Sequence, residues 1–314
     1  MPSLTARFVE SVALPVAGGG REWSAEAVRA RTAAEATHPT VARPPRWLPR
    51  AVRHSVTDHA GWPVHELSPK PLVARAAVGD PAAEVTVLYL HGGGYISEAL
   101  PWHWYLMARL ARLVPARLVV PMYPLVPRGA AARVVPLVAD LLTRLVTRAR
   151  AGATPAGRVV LMGDSAGGGL ALAAAQVARD RGDSQPDRIA LIAPWADVTM
   201  THPDQPALDR LDRLLTVEGL VEAGRRWAGA LDPADPLASP LNGTLAGLAP
   251  LTVLCGTHDL LLPDSRRLAE RAAASGVEID YHEAPGLPHA YPLFPIPEAR
   301  RARATLAAAV RAPI

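Results

Sequence analysis

From residue 85 onward, short apolar runs alternate with longer amphipathic segments, and this alternation constrains the fold more than any other feature. Each run is apolar along its whole length and each is followed by a helical pattern, which is typical of a parallel sheet covered by helices on both faces, with right-handed crossovers. We therefore predict an α/β fold with a mostly parallel central sheet. The predicted strands are 85–90, 117–122, 158–162, 188–193, 251–255 and 277–282, and the predicted helices are 102–114, 133–150, 166–181, 265–275 and 298–311.

Two regions do not follow this alternation of strands and helices. Residues 1–50 contain a helical stretch at 25–37 and then a proline-rich segment, and residues 195–248 hold several prolines around a helical stretch at 217–230. Long insertions in compact domains are commonly functional, so we expect both regions to form a cap over one edge of the sheet within a single domain, 1–314. The alternative is that they are ordinary surface loops.

Turn-bounded β patterns lie ahead of the first buried strand. Residues 52–57, 64–67 and 72–78 predict that the sheet starts with antiparallel strands.

Composition excludes several classes of protein. The net charge of +4 comes from scattered arginines and forms no dense basic stripe, so nucleic-acid binding is not expected. No run approaches the ~18 apolar residues of a membrane span, and the N-terminus is a poor signal peptide. The lone cysteine, Cys255, gives no sign of an oxidising compartment. We expect a soluble, cytoplasmic protein.

The strongest motif is Gly163-Asp164-Ser165-Ala166-Gly167, between a predicted strand and a predicted helix. A serine on such a sharp turn is lifted out of the sheet, and glycines two residues away on either side let the backbone pack closely. The turn also aims the first amides of the helix at the reacting centre. Ser165 is therefore the predicted nucleophile.

A second glycine-rich turn, His91-Gly92-Gly93-Gly94-Tyr95, directly follows the strand 85–90. Glycines there let backbone N–H groups approach the oxyanion that develops when an ester carbonyl is attacked. We predict an oxyanion hole from Gly93 and Gly94, with Gly92 as a further candidate and the N–H of Ala166 completing it. A phosphate loop would need a following Lys and Ser or Thr, which this turn lacks. His91 is expected to anchor the loop.

The HGGGY and GDSAGG motifs together resemble the hormone-sensitive-lipase-like branch of the α/β-hydrolases, the bacterial family IV esterases. The segments 194–199 and 235–240 are similar to other stretches of that family, with Asp197 and Asp235 as capping or loop residues. The resemblance covers residue 80 to the C-terminus. It implies an α/β-hydrolase fold with a helical cap and a carboxylesterase that acts on short or medium acyl esters.

The acid and the base are expected in the chain order Ser, Asp, His. Asp259 lies in the turn after the strand 251–255, and His289 follows the next strand. His289 would take the Ser165 proton and return it to the leaving group, while Asp259 would orient the imidazole. Asp264 is a rival acid that we expect instead to cap a helix. The other candidates are less suitable. His282 lies within a predicted strand, and His258 would point away from Asp259. Cys255 is predicted to be a buried, inert thiol.

Candidate substrate contacts are Tyr95, Trp102 and Asp164. Trp102, with Trp104 and Tyr105, either lines the pocket or packs the first helix. The histidines show no zinc-ligand spacing, and neither a metal nor a cofactor is expected.

Other functions remain open at this point. The same triad could serve a lactonase, amidase, thioesterase or acyltransferase acting on a specialised metabolite. A non-catalytic ligand-binding protein on this fold is a further alternative. Exposed edge strands and the final helix could support a homodimer.

Overall fold

The computed structural model describes residues 2–13, 23–70, 85–151 and 157–312, so the strand predicted at 72–78 lies outside the described residues. The strands are β1 (Arg53–His59), β2 (Trp62–Ser68), β3 (Val85–Leu90), β4 (Arg117–Pro121), β5 (Arg158–Asp164), β6 (Arg188–Ile192), β7 (Leu251–His258) and β8 (Ile279–Pro288). The α-helices are α1 (Leu4–Phe8), α2 (Ala25–Thr37), α3 (Leu48–Ala51), α4 (Pro101–Leu113), α5 (Ala131–Arg150), α6 (Ala166–Asp180), α7 (Gln205–Leu208), α8 (Val217–Ala228), α9 (Leu262–Ala274) and α10 (Glu298–Arg311).

The strands form one eight-stranded sheet in the order β1-β2-β4-β3-β5-β6-β7-β8. β2 pairs antiparallel with both β1 and β4, and every later pairing is parallel. The predicted antiparallel start and parallel body are thus confirmed. Carboxyl ends of parallel strands meet at one edge of the sheet, and this is where ligands bind in open α/β sheets.

Alternate residues of the buried strands feed two separate cores. Along β3, Leu88 and Leu90 join one apolar cluster, whereas Val87 and Tyr89 join the other. Successive side chains of a strand point to opposite faces, so a strand that is covered on both sides must be apolar throughout. The first cluster includes residues of α5 and α6, and the second includes residues of α4 and α10.

The two regions that break the sheet pattern meet each other in space. Helices α2 and α8 pack together, with Arg29 3.7 Å from Glu222. The hydroxyl of Thr216, the residue that caps α8, donates to the carbonyl oxygen of Trp23. Segments far apart in sequence therefore form one layer. Among the described residues, no helix has both the length and the apolar character needed to cross a bilayer.

Candidate active site

Ser165 occupies a strained turn between β5 and α6. Its backbone angles, φ 53° and ψ −124°, are rare for a residue with a side chain, and such strain clusters at functional sites. A Cβ on Gly163 would overlap the carbonyl oxygen of Gly167, and a Cβ on Gly167 would overlap that of Leu90. Only glycines at these two positions allow the turn to pack this tightly, and the turn presents Ser165 at a cavity wall.

Asp259 and His289 form a buried pair at the ends of β7 and β8. The Nδ1 atom of His289 lies 3.0 Å from each carboxylate oxygen of Asp259, and Asp259 also accepts the N–H of Leu261 at 2.8 Å. Because Nδ1 faces a carboxylate it carries the proton, which leaves Nε2 as a base. His289 lines the same cavity as Ser165.

The charge on His289 is set by its neighbours. Burial alone would lower the pKa of this imidazole, but the negative charge and hydrogen bond of Asp259, with further help from Asp212 and Asp164, raise the pKa above its usual value. These carboxylates therefore stabilise the imidazolium form, which a general base must adopt when it accepts a proton.

The glycine turn after β3 lies against the serine. Gly93 (φ +124°) and Gly94 (φ +59°) adopt left-handed backbone conformations that favour glycine, and Gly93 lines the cavity. The amide of Ala166 begins α6, where the first N–H groups of a helix lack partners within it. The N–H of Gly92, in contrast, donates to Asp164 Oδ1 at 3.0 Å, so Gly92 is not a free oxyanion donor.

His91 anchors this turn from beneath, as expected. Its Nδ1 lies 2.7 Å from the Gly92 carbonyl oxygen, and its ring stacks on Tyr123 with centroids 4.5 Å apart. The Tyr123 hydroxyl donates to the carbonyl oxygen of His91 at 2.6 Å. Burial lowers the pKa of His91 to about 4, so the ring is neutral and serves as a structural anchor.

The cavity has a volume of about 360 Å³ and is mostly apolar. This volume lies at the lower end of the range for small-molecule sites. Its lining comes from the sheet edge and from the overlying layer, and the residues are Trp23, Arg31, Gly93, Ser97, Leu100, Trp102, His103, Asp164, Ser165, Leu214, Leu215, His289, Ala290, Leu293 and Phe294.

Comparison with known proteins identifies the family. Residues 87–293 match a family described as having the alpha/beta hydrolase fold. The chain belongs to this α/β-hydrolase family. The match spans the sheet from β3 to β8 and includes both Ser165 and His289.

Individual relatives narrow the branch to the hormone-sensitive-lipase-like esterases. The hydrolase is 33% identical to an acetyl-hydrolase of Streptomyces hygroscopicus, over 69% of this chain and 72% of the relative. It is 25% identical to a crystal structure of an esterase from the bacterial hormone-sensitive lipase family, with a TM-score of 0.79 over 99% of this chain and 98% of the other. The esterase EstE5, in crystals soaked with p-nitrophenyl butyrate, is 26% identical with a TM-score of 0.75, over 90% of each chain. This hydrolase is a serine carboxylic ester hydrolase.

Two of the candidate substrate contacts do not fit the structure of this hydrolase. Tyr95 is 1% exposed, stacks on Trp227 with centroids 3.7 Å apart, and donates its hydroxyl to the Ala166 carbonyl oxygen at 2.8 Å. The prediction for Tyr95 is therefore wrong. Asp164 reaches the cavity wall, but its Oδ1 accepts hydrogen bonds from Tyr89 and the N–H of Gly92, and its Oδ2 contacts His103. Its carboxylate therefore has a structural role and is not a substrate contact.

The aromatic residues of α4 separate into different roles. Trp102 is 44% exposed and lines the cavity, where its ring meets Phe294 edge-on. Trp104 is fully buried in the core, and the guanidinium carbons of Arg109 and Arg303 each lie 5.7 Å from the centroid of the Tyr105 ring. Of this group, only Trp102 stays a candidate substrate contact.

The rival acid Asp264 does not cap a helix as predicted. Helix α9 begins at Leu262, before the expected residue 265, so Asp264 falls within its first turn. Its Oδ2 instead accepts the N–H groups of Ala196 and Asp197 at 3.3 and 3.0 Å. Burial, with the nearby charge of Asp197, raises the pKa of Asp264 to about 8. Through these hydrogen bonds, Asp264 connects helix α9 to the turn after β6.

The remaining rivals occupy other places. His258 points to Glu10, with Nδ1 2.6 Å from the carboxylate, and His282 lies 2.8 Å from Asp280 on β8. Cys255 is buried, and burial raises the pKa of its thiol. Asp197 and Asp235 are loop residues, accepting the N–H groups of Thr199 and Leu237.

Sequence reasoning missed several buried polar groups near the site. Tyr89 and His103 carry no motif, yet both hold Asp164. Asp212, in the segment before α8, is 6% exposed and accepts the N–H of Leu260 next to Asp259. Within the described residues, no group of three His, Cys, Asp or Glu side chains is arranged to hold a metal ion.

Proposed function

We propose that this hydrolase cleaves short or medium acyl esters through an acyl-enzyme on Ser165, with His289 as general base and Asp259 as its orienting acid. The observation that carries the proposal is that the strained Ser165 and His289, whose Nδ1 contacts the buried Asp259, come from separate strand ends and line one cavity. Nucleophile, base and orienting group are the elements that acyl transfer needs.

The chemistry follows from this arrangement. Ser165 Oγ attacks the ester carbonyl while His289 Nε2 takes its proton, and Asp259 stabilises the imidazolium. The N–H groups of Gly93, Gly94 and Ala166 donate hydrogen bonds to the carbonyl oxygen as it becomes negatively charged. Losing one such donor typically costs about 3 kcal/mol of transition-state stabilisation. Collapse of the tetrahedral adduct breaks the C–O bond, and the leaving alcohol takes the proton from His289. Water then repeats the sequence on the acyl-enzyme and releases the acid.

The size and lining of the cavity support small acyl groups. A volume of about 360 Å³ has little room for a long acyl chain. The relatives point the same way, since one is named an acetyl-hydrolase and another was soaked with a butyrate ester.

We further propose that residues 1–50 and 195–248 act as the cap of a single domain spanning 1–314. Trp23 comes from the first region and Leu214 and Leu215 from the second, and all three line the cavity. Substitutions of these three lining residues should therefore alter acyl selectivity more than the rate on acetate.

A Ser165→Ala variant tests the mechanism. We expect it to stay folded, to lose hydrolysis of p-nitrophenyl acetate and butyrate, and to lose labelling by a fluorophosphonate probe. Full activity in this variant would contradict the proposal. A wild-type series from acetate to dodecanoate, with matched amide, thioester and lactone substrates, tests the substrate class; a preference for dodecanoate or for an amide would overturn it.

A further inference from the structure

Asp212 is a buried carboxylate that the mechanism above does not use. It lies between α7 and α8, in the layer over the sheet edge, and is 6% exposed. Its own backbone N–H donates to the Leu208 carbonyl oxygen at 2.8 Å, which fixes the segment at the end of α7. Burying a carboxylate is costly unless it is hydrogen-bonded, so its partners matter.

The two oxygens of Asp212 bind two different parts of the molecule. Oδ1 accepts the N–H groups of Leu214 at 2.8 Å and Leu215 at 3.0 Å, and both of these residues line the cavity. Oδ2 accepts the N–H of Leu260 at 2.9 Å, which directly follows Asp259. One carboxylate thus joins a wall of the cavity to the turn that carries the orienting acid.

Asp212 also belongs to the charge cluster around the imidazole. The cluster contains Asp259 and Asp164 as further carboxylates, His289 as the group they act on, and Cys255, whose Sγ lies 3.5 Å from Asp259 Oδ2. The negative charge of Asp212 adds to that of Asp259 in favouring the protonated form of His289. Burial, and repulsion from Asp259, raise the pKa of Asp212 to about 6, so the carboxylate is charged at neutral pH.

We propose that Asp212 is a positioning residue for the reaction: it holds the Asp259 turn against the cavity wall formed by Leu214 and Leu215, and its charge supports the imidazolium of His289. The inference rests on the proposed roles of His289 and Asp259. It links the shape of the cavity to the alignment of the acid–base pair, because a displaced Leu214 or Leu215 must also pull on Leu260.

The test compares Asp212→Asn, Asp212→Glu and a matched control, Asp209→Asn. Asp209 lies in the same segment and accepts the N–H of Val217 at 2.8 Å, but it does not bond the Asp259 turn. An asparagine at 212 cannot accept with both ends, so it must lose either the Leu260 contact or the contacts to Leu214 and Leu215. We would measure kcat and KM for p-nitrophenyl acetate and butyrate from pH 5 to 9, on protein whose active sites are counted by fluorophosphonate labelling.

We expect Asp212→Asn to lower kcat about 10- to 100-fold, as small misplacements of catalytic groups do. Its acidic limb of kcat/KM should move to lower pH by roughly 0.5 to 1 unit, because losing a negative charge lowers the pKa of His289. Asp212→Glu keeps the charge on a longer side chain, so the limb should stay in place while kcat falls. Asp209→Asn should stay within about 2-fold of the wild type, as surface-near changes usually do.

Other outcomes would overturn the inference. An Asp212→Asn variant that melts earlier but keeps kcat per labelled site and the acidic limb would show a purely structural role. Equal losses in Asp209→Asn would show that the segment as a whole, and not this carboxylate, matters. Should Asp212→Asn fail to fold, an unchanged kcat in Asp212→Glu would overturn the inference. Failure of the proposed function is separate, because it would appear as activity in Ser165→Ala.

Discussion

The Nδ1 atom of His289 lies 3.0 Å from both carboxylate oxygens of Asp259, and the Asp259 side chain is fully buried. The pair comes from two adjacent parallel strands, β7 and β8, that end at the same edge of the sheet. Because the carboxylate has no contact with bulk solvent, its charge acts on the imidazole with little screening.

Asp259→Asn should lower kcat for p-nitrophenyl butyrate about 10³- to 10⁴-fold, because an amide no longer holds the imidazole in the correct tautomer. Asp264→Asn is the matched control, since Asp264 is equally buried and lies on the adjoining helix α9. It should keep kcat within about 10-fold, with its main effect on the melting temperature. A larger loss of kcat in Asp264→Asn than in Asp259→Asn would assign the acid to Asp264.

The acidic limb of kcat/KM should have an apparent pKa above 6.5. Neighbouring carboxylates outweigh burial and raise the pKa of His289 above the ordinary value of 6.5. The base works only when it is neutral, so kcat/KM is lost as pH falls through this raised pKa. A pH profile of kcat/KM on p-nitrophenyl acetate checks this, and an acidic limb below pH 6 would contradict it.

Glu98 should make the protein less stable as pH rises. Burial and the charge of Glu35 raise its pKa from 4.5 to about 7, and its Oε2 lies 3.8 Å from His91 Nε2. The folded state keeps this proton longer than the unfolded chain does, so the stabilisation is complete below pH 4.5 and is lost as pH rises to about 7.

Glu98→Gln removes this titration while keeping the shape of the protonated side chain. Between pH 5 and pH 8 the wild type should lose about 1 to 3 kcal/mol of unfolding free energy relative to the variant. Urea unfolding at the two pH values measures the difference. Parallel pH dependences in the two proteins would show that Glu98 does not titrate in this window.

Gly167→Ala should lower both stability and activity. A Cβ there would overlap the carbonyl oxygens of Leu90 and His91, which lead directly into the glycine turn. We expect a loss of about 2 to 3 kcal/mol in unfolding free energy, as overpacking typically costs, together with a lower kcat. Gly182→Ala is the control, because a Cβ on Gly182 would meet open space; Gly182 differs from Gly167 in having a positive φ (+76°), which adds a backbone cost but no overlap. That variant should lose about 1 kcal/mol and keep kcat; thermal melts and ester assays compare the two.

Local sequence pattern was sufficient to predict the parallel sheet and the turn between β5 and α6 that carries Ser165. Strand β3 ends where predicted because a six-residue run that is buried on both faces leaves little choice of conformation. Ser165 and its two glycines could be predicted because the turn has a fixed local chemistry. The pairing of Asp259 with His289 followed from chain order and from the rule that parallel strands end together.

The errors arose where local chemistry was overridden by three-dimensional packing. Tyr95 follows the glycines directly, but its positive φ of 62° turns the side chain into the core against Trp227. Asp212 carries no motif, and only the folding of its segment over the sheet brings it to Leu260.

A homodimer and a cytoplasmic location stay predictions of the sequence, for light scattering and cell fractionation to test.

Cys255 gives this hydrolase a built-in reporter. It is the only cysteine of the chain, it is fully buried, and its Sγ lies 3.5 Å from the carboxylate of Asp259. Burial and that nearby charge keep the thiol protonated and therefore slow to alkylate. Any maleimide modification of the native protein must pass through a state in which the packing around Cys255 opens. The rate of that reaction would therefore report the frequency of local opening next to Asp259, without any engineered label.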